Sequence, residues 1–161
     1  MISLEIAQDK DRTFFHNAFN MYQNELGQHT GEYSFLDEEG FFDRNTVDVY
    51  FEGSKAVRPF LIKDDERRIG VVVITTAPCT RPGTAFCIQE LFLIASSRGR
   101  GLALEAVRKL IQEYDKDLCL QVLKLNERAK AFWTKVAGSL SMAIEKEDAE
   151  DCETWILRKQ A

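Results

Sequence analysis

Apolar residues along the chain change their period at a few well-marked places. Ile2, Leu4 and Ile6 alternate, as in a strand with one buried face. Phe15, Ala18, Phe19, Tyr22 and Leu26 then recur at helical spacing, which predicts a helix over residues 11–26 that Gly27 stops. A second, short helix is predicted at residues 47–52, in a segment rich in aromatics (Tyr33, Phe35, Phe41, Phe42, Tyr50, Phe51). Residues 58–63 and 68–76 read as two strands joined by the charged turn Asp64-Asp65-Glu66-Arg67, and Pro78, Pro82 and Gly83 mark a loop. Residues 87–94 form an unbroken β-prone run that suits a buried strand. From Leu102 the period becomes helical again through Ala103, Val107, Leu110, Ile111 and Tyr114. A strand over 118–123 follows, then a helix with apolar positions 129, 132, 133, 136 and 137, closed by Gly138. Alternation at Leu140, Met142 and Ile144, and again from Thr154 to Leu157, predicts a closing β-hairpin.

The junction between the central strand and its helix carries the first chemical signal. Gly99 and Gly101 bracket Arg100 just ahead of a helix N-terminus. Glycines there let the chain approach an anion, and helix-end N–H groups converge on it, so the spot suits a phosphate or pyrophosphate. The P-loop pattern is absent, and Gly99-Arg100-Gly101 lacks the third glycine of a dinucleotide fingerprint.

Composition adjusts this picture little. The chain has 161 residues, 45% of them hydrophobic and 29% charged, which predicts one compact domain over 1–161 with a sizeable core. No apolar run is long enough to span a membrane and the first residues are no signal peptide, so the expectation is cytoplasmic, with no membrane partner. The net charge of −5 resides in residues 145–153, which hold six acids and one lysine and read as the hairpin tip. Such a run is a solvated turn or an attractor of a cationic amine. No basic stripe with interleaved aromatics suggests nucleic acid. Cys79, Cys87, Cys119 and Cys152 lack Cys-x-x-Cys spacing, so free thiols and no metal are expected.

Two stretches together resemble a known family. Arg98-x-x-Gly101-x-Ala103 resembles the acetyl-CoA signature of the GNAT N-acetyltransferases. A strand followed by Asn126-x-x-Ala129-x-x-Phe132-Trp133 and a later Gly138 is similar to that family's second motif, in the right order. The pair Phe132-Trp133, with Tyr22-x-x-Glu25 in the first helix, looks like a bacterial subgroup of small predicted acetyltransferases. The resemblance implies an α+β fold: a mixed, mostly antiparallel sheet, splayed between strands four and five and flanked by helices. It implies acetyl-CoA as co-substrate. The backbone of Leu93, Ile94 and Ala95 would take the pantetheine arm as a peptide strand would. The amides of Arg98, Gly99, Arg100, Gly101, Leu102 and Ala103 would take the pyrophosphate, with the Arg98 and Arg100 side chains either assisting or solvated. Asn126 would contact the arm, although helix capping explains it equally well.

The implied reaction is transfer of an acetyl group to an amine, which must lose a proton before or during attack. Glu90, the acid in the central strand, is the candidate general base, against a purely structural carboxylate; Glu25 is a weaker alternative. The family commonly places a tyrosine where this chain has Trp133, whose indole N–H is no practical acid. Tyr50, Tyr22 or water then protonates the leaving thiolate, or it departs unprotonated. The expected partner is a small-molecule or peptide amine, with the protein a monomer or homodimer. A non-catalytic acyl-CoA sensor and a protein N-acetyltransferase are the competing readings.

Overall fold

The computed structural model of the protein describes residues 1–114 and 117–160. Seven strands, β1 (Ile2–Ile6), β2 (Val57–Asp64), β3 (Arg67–Thr76), β4 (Phe86–Leu93), β5 (Leu118–Leu123), β6 (Met142–Asp148) and β7 (Cys152–Lys159), share one sheet in the order β1-β2-β3-β4-β5-β7-β6. Every neighbouring pair is antiparallel except β4 and β5, which are parallel at the middle of the sheet. This is the mixed α+β arrangement that the family resemblance implies.

Strand periodicity explains how the layers stack. In β2 and β3, Phe60, Ile62, Val72 and Ile74 face one core, while Leu61, Val71 and Val73 face another. The first core takes Val107 and Leu110 from helix α3 (Leu102–Tyr114) and Trp133 and Val136 from helix α4 (Glu127–Ser139). The second takes Phe15 and Phe19 from helix α1 (Arg12–Thr30) and Val47 from the short helix α2 (Asn45–Val49). A strand buried on both faces needs no polar alternation, which is why residues 71–74 read as a continuous apolar run.

Several boundaries differ from expectation. α1 passes through Gly27 and ends at Thr30, where Gly31 adopts a left-handed φ of 70° and its N–H closes on the Gly27 carbonyl. Gly27 instead allows close approach: a Cβ there would stand 2.9 Å from the Glu32 carbonyl oxygen, where the chain folds back over the helix. α4 likewise runs through Gly138 and is capped at Leu140. α2 starts earlier than residue 47 and stops before residue 52. The acidic run is mostly strand, because β6 extends to Asp148 and β7 starts at Cys152, leaving residues 149–151 as the tip. The cysteines are not all free. Cys87 and Cys119 lie opposite one another in the parallel pair, 4.5 Å between Cα atoms, and are disulfide-bonded, while Cys79 and Cys152 are free. Two cysteines 32 residues apart carry no spacing signal; only the register unites them.

Two irregularities in β4 create the working part of the sheet. Val73 lies opposite Glu90 and Ile74 opposite Ile88, so Gln89 has no partner on β3 and forms a bulge. The extra residue reverses the alternation: Ile88 packs in the α3/α4 core, whereas Phe92, two residues after Glu90, packs under α1. The second irregularity is that β4 pairs with β5 only through Phe86, Cys87 and Ile88. Beyond Ile88 the strands part, and the β4 edge from Gln89 to Leu93 is left unpaired by β5. No helix among the described residues is long and apolar enough to cross a membrane.

Candidate active site

A cavity of about 720 Å³ fills the gap between β4 and β5. Leu91 and Leu93 line it from one strand, Gln121 and Val122 from the other, with Tyr22 of α1 and Trp133 of α4 on opposing walls. At one end lies the glycine loop. Gly99 and Gly101 have φ of 75° and 79°, and a Cβ placed on either would meet nothing within 4 Å. Those values belong to the left-handed region, so glycine is required there by backbone shape, with open space in front of it. The first amide bonded back into α3 is that of Glu105, to the Gly101 carbonyl at 3.0 Å. The N–H groups of Leu102, Ala103 and Leu104 therefore precede the helical ladder and point out of its positive end.

Other sequence-nominated residues are engaged differently. The Arg98 N–H donates to the Ala95 carbonyl at 3.2 Å, and the Ile94 N–H to Ile69 at 2.9 Å. The Arg98 guanidinium donates through Nε to the Leu93 carbonyl at 2.6 Å and through Nη2 to Glu25 at 2.8 Å, and it lies over the Phe92 ring. It thus braces the glycine loop against β4 and α1. Arg100 is exposed, its nearest acid Asp64 at 3.8 Å. Asn126 lines the cavity and also caps α4, its Oδ1 accepting from the Ala129 N–H at 3.0 Å. Trp133 is 6% exposed and packs edge-on against Phe132.

Glu90, set by the bulge on the α1/α2 side of the sheet, accepts from the Tyr50 hydroxyl at 3.2 Å, with the Tyr22 phenol close by. Desolvation beneath these rings pushes its carboxyl up to about 7, against the lowering influence of the two hydroxyls. The two phenols move up in turn, first by burial and then by the charge on Glu90. A carboxyl poised near neutrality beside a cavity has the acidity of a general base at physiological pH.

The sequence nominated Glu90, the glycine loop and, as acid candidates, Tyr22 and Tyr50, but held no sign that the Tyr50 hydroxyl meets the Glu90 carboxylate. Tyr50 lies 40 residues from Glu90 along the chain, just after a five-residue helix, and the two meet only in the fold. The Arg98–Glu25 brace, spanning 73 residues, was equally hidden.

Known proteins of this architecture share the fold at low identity. An acetyltransferase from Thermus thermophilus superposes with a TM-score of 0.74 at 16% identity, covering 97% of this chain and 96% of that one. AAC(6')-Ib, solved with ribostamycin and coenzyme A, gives 0.70 at 15% identity over 99% of this chain and 93% of its own. The PaiA N-acetyltransferase of Thermoplasma acidophilum, solved with coenzyme A, gives 0.65 at 12% identity over 99% of both. No curated protein matches the chain in sequence. Residues 15–138 do match the Acetyltransferase (GNAT) family. With most of its length matched and a parallel β4–β5 pair opening beside a glycine loop, the chain belongs to the GNAT acetyltransferase family.

Proposed function

We propose that the protein transfers an acetyl group from acetyl-CoA to a primary amine, with Glu90 as general base. The observation that carries this reading is the placement of Glu90 at a bulge, beside an unpaired strand edge that leads to the glycine loop. The loop fits a pyrophosphate because its glycines leave open space before helix-end amides. The free edge of β4 suits a pantetheine arm, whose amides bond like those of a strand. Acetyl-CoA supplies the activated acetyl group. The chain's own groups hold the arm and take the proton that the attacking amine must lose. Backbone amides near Leu93 stabilise the charge that develops on the carbonyl oxygen.

The acceptor enters on the α1 side of the cavity, where Tyr22 forms part of the wall. That wall suits an amino sugar, and structural neighbours include the ribostamycin complex of AAC(6')-Ib and FdhC, described as a nucleotide-linked sugar GNAT. The test is thiol release from acetyl-CoA against aminoglycosides, nucleotide-linked amino sugars, polyamines and basic peptides. Turnover with an amino sugar supports the reading. Tight acetyl-CoA binding with turnover of no amine would replace it with a sensor.

A further inference from the structure

We propose that a second cavity, beside the main cleft, is a thiol–disulfide exchange site in which the Cys79 thiol opens the Cys87–Cys119 bond by attack on Cys119. The proposal does not depend on the acetyl-transfer reading. The cavity, of about 280 Å³, lies where β4 and β5 begin to part and shares Ile88, Gln89, Leu120 and Gln121 with the main one. Three of the four cysteines line it: Cys79, Cys87 and Cys119. Strand alternation explains the bonded pair. Phe86, Ile88, Leu118 and Leu120 face the α3/α4 core, so Cys87 and Cys119 between them face the other way, in a small cluster with Ile156. The loop from β3 to β4 brings Cys79 to the same space. Cys87 and Cys119 are 7% and 3% exposed, whereas Cys79 is exposed and its thiol is free. A buried disulfide and a solvent-facing thiol therefore share one cavity. Cys152, also free, lines neither cavity.

Hydroxyl groups select the sulfur that leaves. Exchange is faster when the departing sulfur is the better stabilised as a thiolate. Thr80 Oγ1 donates to Cys87 Sγ at 3.1 Å but stands 4.0 Å from Cys119 Sγ. Thr84 Oγ1 lies 3.7 Å from Cys119 Sγ, and its one proton also serves the Arg81 carbonyl at 2.7 Å. The Cys87 sulfur thus has the closer donor, and the Cys79 thiolate attacks Cys119. As the S–S bond between Cys79 and Cys119 forms, the bond to Cys87 breaks, and Cys87 leaves as a thiolate with the electron pair. The proton that Cys79 gives up is matched by one that Cys87 takes, so no oxidant or reductant is consumed.

The place of the bond gives the exchange its consequence. β4 pairs with β5 through Phe86–Leu118, Cys87–Cys119 and Ile88–Leu120, so the bond ties the strands one residue before their pairing ends. Exchange unties the foot of the cleft and joins β5 to the β3–β4 loop instead. It also carries the bridge to an exposed residue, where a small thiol reaches it.

Two measurements on the full chain, purified without reductant, test the site. N-ethylmaleimide added at mildly acidic pH, followed by peptide mapping without reduction, locates the bridges by mass spectrometry. Cys152 should be labelled in full, and Cys79 and Cys87 in complementary shares, matched by Cys87–Cys119 and Cys79–Cys119 bridged peptides. Cys79→Ser, a change at an exposed position, should leave Cys87 unlabelled. Thr80→Val keeps the side-chain shape and removes the donor, so it should lower the Cys87 share. In the second measurement, dithiothreitol should reduce the bridge at least about tenfold faster in the wild type than in Cys79→Ser, whose bond stays buried. Four labelled cysteines, an unlabelled Cys87 in the wild type, a Cys79–Cys87 bridge in place of Cys79–Cys119, or equal reduction rates would overturn the proposal.

Discussion

A carboxylate lodged beneath two phenol rings makes Glu90 sensitive to pH in two measurable ways. As a base it works only when ionised, so turnover should rise through about pH 7, and Glu90→Gln should lower kcat by about 10²–10⁴-fold with little change in the acetyl-CoA KM. The same shift governs stability. With the carboxyl at about 7 in the fold and 4.5 in the open chain, the folded protein keeps a proton that the unfolded chain has released. Stability therefore falls as pH rises between those two values, and above the upper one a desolvated charge remains as a standing cost. Glu90→Gln should melt above the wild type near pH 8 and level with it near pH 4. A lower melting temperature at both would mark the carboxylate as structural. Trp133 makes the complementary case, a cavity residue whose part is packing. Trp133→Phe keeps the ring against Phe132 and should change kcat by less than about tenfold. Trp133→Ala should cost about 3–5 kcal/mol in a denaturant melt, because the side chain is almost wholly buried. A hundredfold loss in a folded Phe variant would give the indole N–H a transition-state role.

At the level of elements, the strand–loop–helix unit from β4 to α3 makes the sharpest demand on sequence. Gly101→Val forces a β-branched residue to a φ of 79°, about 1–3 kcal/mol of strain, and fills the open space before the helix amides. Calorimetry should find the variant folded and acetyl-CoA binding lost; unaltered affinity would remove the loop from the cofactor site. This unit was legible because a change of period and two glycines fall at one place, and backbone geometry there depends on local residues alone. Gly27 shows where such reading stops. As a residue type it suggests a helix end, but it serves the close passage of Glu32, a contact that exists only once the chain has folded back. Tyr50 and Glu90 were each visible as residues, yet their meeting depends on how α2 lies on the sheet. Local chemistry could be read from the chain, whereas pairings across tens of residues could not.

On the scale of the whole molecule, the bulge at Gln89 separates a cleft from a closed sheet. Pairing between β4 and β5 stops at Ile88, immediately before the residue that β3 leaves unmatched. A bulge bends its strand and steepens the twist, which carries the rest of β4 away from β5. Removing Gln89 would leave Ile88 and Glu90 opposite Ile74 and Val73 and restore an even ladder, at the loss of the Gln89–Thr75 side-chain bond. Such a chain should stay folded, with a melting temperature no lower than the wild type, while binding acetyl-CoA poorly by calorimetry. Full affinity in the shortened chain would show that the strands part for another reason. The expected result would mean that the seam behaves like a zipper held open by one surplus tooth. Without that tooth the strands could run together to their ends, giving a sturdier sheet with no slot left for a guest.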